Sequence, residues 1–142
     1  MIRIPLLRSG TSTRPTIVVA EDEPSIGDMV AMSLEENGYQ VCLTRDGLEC
    51  VELLERTHEE VAAVLLDLSL PGVSGTEVFT RLRKFAPSLP VVVMSGSAGA
   101  PSPAEGRAGD GIASFLPKPF RLPELFSTVA SVLRTARHEL PA

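Results

Sequence analysis

Five short strand-like runs alternate along this chain with stretches whose apolar residues recur at helical spacing: Thr16 to Ala20 (TIVVA), Tyr39 to Thr44 (YQVCLT), Ala62 to Leu66 (AAVLL), Val91 to Met94 (VVVM) and residues 113 to 116 (ASFL). The runs are apolar rather than alternating, the pattern of strands buried on both faces, and such strands belong to parallel sheets. Between them, Pro24 suits a first helical position, and Ile26, Met29, Val30 and Leu34 follow at helical spacing before Asn37-Gly38 ends the segment. Asp46 can cap a helix carrying Leu48, Val51 and Leu54 on one face; a Pro71-Gly72 turn leads to a stripe of Val78, Leu82 and Phe85. Leu122, Leu125, Phe126, Val129, Val132 and Leu133 mark the clearest amphipathic helix. Strand and helix in alternation, with right-handed crossovers, imply an α/β domain whose parallel sheet is covered by helices on both faces.

One interval breaks the alternation. Residues 97 to 111 (SAGAPSPAEGRAGDG) hold no large apolar side chain and are rich in Gly and Pro, so a helix expected here is short, frayed or disordered.

Composition narrows the function classes. A chain of 142 residues with 44% hydrophobic content supports one domain with a core. The net charge of −5, without a dense Lys/Arg run, argues against nucleic-acid binding by this chain alone. Cys42 and Cys50 form neither a CxxC pair nor a Cys/His cluster and read as buried thiols. Charges, Gly or Pro interrupt every apolar stretch well short of the roughly 18 residues a membrane span needs, so the chain is expected to be soluble and cytoplasmic. Residues 1 to 14 read as a disordered tail, because Ile2 to Leu7 is interrupted by Arg3 and Pro5 and is too short for a signal-peptide core.

In doubly wound sheets, ligands sit beyond the carboxyl ends of the strands. Those ends carry Glu21 and Asp22 after the first strand, Asp67 after the third, Ser95 after the fourth and Lys118 after the fifth. Three carboxylates brought into one crevice would raise their pKa values or recruit a cation. Mg²⁺ fits, because it accepts few carboxylates and keeps waters for a phosphate. With one lysine and one divalent cation the pocket is neutral and can accept an anionic phosphoryl group. Asp67 can then attack phosphorus to form an acyl phosphate, with the metal, the Lys118 ammonium and the Ser95 hydroxyl each meeting one phosphoryl oxygen.

AEDEP (20 to 24), VLLDLSLPGVSG (64 to 75), VVVMSG (91 to 96) and FLPKPF (115 to 120) together resemble the CheY-like receiver domain of two-component response regulators. Any one motif alone is weak; four in order and at compatible spacing, over about Thr16 to Arg137, are specific. The resemblance implies a flavodoxin-like, three-layer αβα fold with strand order 2-1-3-4-5, a receiver domain over residues 15–138 and a C-terminal tail at 139–142. It further implies Asp67 as phosphoacceptor, Glu21 and Asp22 as the acidic pair, Ser95 as switch hydroxyl, Lys118 as the phosphoryl-contacting lysine, and Phe115 as the aromatic that rotates inward. The backbone carbonyl of Ser69 would join Glu21, Asp22 and Asp67 on Mg²⁺, with Mn²⁺ a substitute, and Lys118-Pro119 would be a cis peptide. Glu21 and Ser95 stand where Asp and Thr are more usual.

The implied partners are a sensor histidine kinase or a histidine phosphotransfer protein as donor, and an unspecified downstream protein; a homodimer is compatible. The domain would catalyse its own phosphorylation and slow dephosphorylation, as a stand-alone regulator, a relay shuttle or the terminal receiver of a hybrid kinase. A haloacid-dehalogenase-like phosphatase is disfavoured because Ser69 stands where it needs a second acid. A degenerate receiver should lack one of Asp22, Asp67 or Lys118, and all three are present.

Overall fold

In a computed structural model of the chain, residues 14–96 and 112–139 are described. The elements run β1 (Thr16–Ala20), α1 (Pro24–Glu36), β2 (Gln40–Thr44), α2 (Gly47–Thr57), a 3₁₀ turn (His58–Glu60), β3 (Ala63–Asp67), α3 (Gly75–Phe85), β4 (Val91–Ser95), β5 (Ile112–Pro117) and α4 (Leu122–Glu139). All strand pairs are parallel, in the order β2-β1-β3-β4-β5. The expected doubly wound, flavodoxin-like architecture is therefore observed. The interval in which a short or disordered helix was expected, 97 to 111, lies outside the described residues, as do most of the two expected tails.

Every residue of β1, β3 and β4 is buried, as unbroken apolar strands require. Side-chain alternation splits them between two cores. Val18, Val64 and Leu66 pack with Val51, Leu54, Val78 and Leu82 of α2 and α3. Ile17, Val19 and Leu65 pack with Val30 and Leu34 of α1 and Leu125 and Val129 of α4. Each face of the sheet thus carries two of the four helices found among the described residues, giving three layers. Cys42 and Cys50 are free, buried thiols, and burial raises their pKa values to about 11 and about 12.

Three assignments to the buried stripes need correction. Leu48 is 50% exposed, Met29 is 39% exposed, and Leu122, in the first turn of α4, is 37% exposed. A strict three-residue step drifts by about 60° per step around a helix, so Leu48 falls off the stripe built from Gly47, Cys50, Val51 and Leu54. Met29 likewise lies far around α1 from Gly27, Val30, Ala31 and Leu34. The helix ends follow local chemistry. Asp46 caps α2 by accepting the Glu49 N–H at 2.9 Å, and Ser74 caps α3 through the Glu77 N–H at 3.2 Å. α1 stops at Asn37, and Gly38 takes φ +96°, the left-handed conformation glycine tolerates.

The loop from Leu68 to Ser74, which follows Asp67, is held between two helix starts by close approach. A Cβ on Gly75 would collide with the Asp67 carbonyl and lie 2.5 Å from Leu68 Cα; one on Gly47 would collide with the Val73 carbonyl and Cβ. These obstacles are backbone atoms at both helix starts, joined at Gly47 by the Cβ of Val73, so neither can swing away. Gly75→Ala should lower stability by about 1–3 kcal/mol through overpacking, read as a lower urea midpoint at unchanged m-value.

Candidate functional site

The register of the sheet assembles the strand-end residues. Ala20 pairs with Leu66, Asp67 with Met94, and Ser95 with Pro117, so Glu21 follows β1 beside Asp67, and Lys118 follows β5 beside Ser95. Carboxylate oxygens of Glu21, Asp22 and Asp67 all lie within 4.8 Å of one another, with Asp22 on the solvent side. Glu21 is 0% and Asp67 2% exposed.

Each group is fixed by specific bonds. Glu21 donates its N–H to the Thr44 carbonyl at 3.0 Å and accepts the Glu23 N–H on Oε2 at 3.1 Å. Asp67 Oδ1 accepts the Ser69 N–H at 2.8 Å, which tethers the loop to the carboxylate it follows. Asp67 Oδ2 accepts from Lys118 Nζ at 3.1 Å, and the same Nζ lies 2.6 Å from Glu21 Oε1. The Lys118 backbone is anchored by its N–H to the Ser95 carbonyl at 2.9 Å, immediately before the cis Lys118-Pro119 bond. Ser95 is buried at the end of β4. Phe115 stands one strand away, paired in register with Val93 and packed against the α2/α3 core rather than on the carboxylates.

The donor set suits a hard divalent cation. All three acids present oxygen atoms, and the buried Glu21 Oε1 is faced by Lys118 Nζ at 2.6 Å. With all three carboxylates ionised, one ammonium leaves the crevice negative, and a divalent cation would balance it.

Glu21, Asp22, Asp67 and Lys118 meet in one crevice, as their strand-end positions imply; the direct Glu21–Lys118 pair and the full burial of Glu21 had no sequence signal beyond the extra methylene of Glu21.

Burial pushes the Glu21 carboxyl up to about 7; the Lys118 and Glu23 N–H contacts oppose this, and the Asp67 charge adds to it. Burial would lower the Lys118 ammonium, but Glu21 and Asp67 hold it above the usual lysine value. Below about pH 7 the folded protein favours a protonated Glu21, whereas the unfolded chain gives that proton up from about pH 4.5; above about 7 Glu21 is ionised and pairs with the Lys118 ammonium. Stability from this group is full below about pH 4.5 and is lost as pH rises through about 7. Chelator-treated protein should lose roughly 2–3 kcal/mol of unfolding free energy across that window, and Glu21→Gln should abolish this part of the slope. A pH series of urea titrations checks both.

Comparison with known proteins agrees with this geometry. The family model of the response regulator receiver domain matches residues 17–130. Response regulator MprA of Mycobacterium sp. (strain KMS) is 35% identical over 120 residues, covering 83% of this chain and 50% of that protein. MprA of Mycobacterium leprae is 33% identical over 123 residues, covering 85% and 52%. The chain thus spans about half the length of the curated relatives it matches. Among solved structures, NtrX from Brucella abortus superposes with a TM-score of 0.79 at 26% identity, covering 89% of this chain and 28% of that one. A CheY-like receiver domain protein from Methanospirillum hungatei JF-1 gives 0.78 at 23% identity, covering 90% and 100%, which speaks to the fold alone. The acidic crevice at the strand ends, the sheet order that creates it and the family match over residues 17–130 together place this chain in the response regulator receiver domain family of two-component systems.

Proposed function

We propose that Asp67 accepts a phosphoryl group from a phosphohistidine on a sensor histidine kinase or a histidine phosphotransfer protein. The observation that carries this reading is Asp67 itself: a buried carboxylate in an acidic crevice, with the Lys118 ammonium 3.1 Å from one of its oxygens. A carboxylate oxygen of Asp67 attacks phosphorus, the P–N bond to the donor imidazole breaks, and the imidazole leaves with the electron pair and takes up a proton.

The remaining residues meet the transferred charge. Lys118 moves its ammonium from the carboxylates onto one phosphoryl oxygen, and the Ser95 hydroxyl donates to another. Glu21, Asp22, Asp67 and the Ser69 carbonyl would hold Mg²⁺, or Mn²⁺ in its place. That ion supplies charge neutralisation for the incoming phosphoryl group. Slow hydrolysis of the acyl phosphate by the same domain returns it to the resting state.

The output runs through the β4–β5 side. Engagement of Ser95 by the phosphoryl group would draw the end of β4 inward and let Phe115, half-buried beside Val93, reorient. A surface for a downstream protein, or for a second copy of this chain, changes as a result. The domain proposed to do this spans residues 15–138 and works in the cytoplasm.

Acetyl phosphate with Mg²⁺ tests the reaction without a kinase, read by intact mass. Wild type should gain one phosphoryl group, Asp67→Asn none, and excess EDTA should stop the gain. Lys118→Met should slow it roughly 100-fold, the scale of losing one charge-stabilising donor. Equal labelling of Asp67→Asn would refute the reading.

A further inference from the structure

The proposed reaction needs Glu21 to face a cation and Lys118 to face a phosphoryl oxygen, yet here the two side chains hold each other. Lys118 Nζ is nearer to Glu21 Oε1, at 2.6 Å, than to Asp67 Oδ2, at 3.1 Å. Glu21 is entirely buried, and in its ionised form the charge that balances Oε1 is this ammonium. Separating such a pair without a replacement leaves an uncompensated buried charge, which is strongly unfavourable.

Reach makes the contact. A glutamate carboxylate extends one methylene beyond that of an aspartate, and across the crevice its Oε1 comes within 2.6 Å of Lys118 Nζ. Opposite, Oε2 is tethered by the Glu23 N–H, which leaves Oε1 turned towards Lys118.

We propose that Glu21 sets the crevice's affinity for a divalent cation by holding Lys118 as an internal competitor: Nζ must leave Oε1 before that oxygen can face a metal, and its departure readies the lysine for a phosphoryl oxygen. The proposal rests on the metal-assisted reading above. Cation binding and lysine release are then one coupled equilibrium, and each promotes the other by the same factor. An aspartate at this position would reach less far towards Lys118 and would weaken the coupling.

The test is Mg²⁺ titration alone, with no phosphodonor, followed through the amide resonances of Asp67 and Ser69 in the full chain. With Glu21 in place, Lys118→Met should tighten Mg²⁺ binding by about fivefold or more; in the Glu21→Asp background the same change should give less than about twofold. Equal factors in the two backgrounds would overturn the proposal, because simple removal of a positive charge predicts equality. Should any variant fail to fold, the wild-type Lys118 side-chain ammonium ¹⁵N resonance decides. It should move with the same midpoint as the Asp67 amide; a resonance that stays still while that amide titrates would overturn the latch and leave cation binding standing. Absence of any Mg²⁺-dependent shift in wild type would instead overturn the metal-assisted reading, and the latch with it.

Discussion

A single ammonium group, Lys118 Nζ, sits between two carboxylates that are almost wholly removed from water. Charges in that position are tolerated only when paired, and the pairing requires the ends of three strands to arrive together. β1 brings Glu21, β3 brings Asp67 and β5 brings Lys118. The chain could not pair these groups in any other register, because a one-residue slip would turn each strand's side chains to the opposite face. The polar site and the apolar sheet therefore specify the same arrangement.

The scaffold around the crevice is built to keep it open and in place. Gly75 lets α3 start directly against the Asp67 carbonyl, Gly47 lets α2 start against Val73, and the Ser69 N–H ties the intervening loop to the carboxylate. On the other side, Thr44 is fully buried, donates its hydroxyl to the Val19 carbonyl at 3.1 Å, and accepts the Glu21 N–H on its own carbonyl. The β2 edge thereby supports the residue after β1. None of these contacts touches a phosphoryl group; they hold the groups that would.

Much of this was legible in the residues, for physical reasons that differ by element. Strands buried on both faces must be uniformly apolar, so TIVVA and VVVM announce themselves, and the acids and hydroxyl that end them stand out against the run. Asp46, Pro24 and Gly38 act through local backbone geometry and could be read locally. Leu48 and Met29 could not, because an apolar residue near a helical stripe is ambiguous until the stripe's centre is known, and the sheet sets that centre. The Glu21–Lys118 pair was hidden for a related reason. It joins residues 97 positions apart, and its closeness depends on the rotamers of two long side chains. The 3₁₀ turn at His58–Glu60, between α2 and β3, carried no signal beyond polarity.

One carboxylate oxygen of Asp67 is proposed to become an acyl phosphate, a mixed anhydride, and that species can be located chemically. Borohydride reduces an aspartyl phosphate to homoserine and leaves ordinary carboxylates untouched, so treatment of the protein after exposure to acetyl phosphate and Mg²⁺ marks the acceptor permanently. Peptide mass mapping should find homoserine at position 67 and nowhere else. Reduction products at Glu21 or Asp22, or a phosphorylated protein in which Asp67 is unchanged, would contradict the account at its centre.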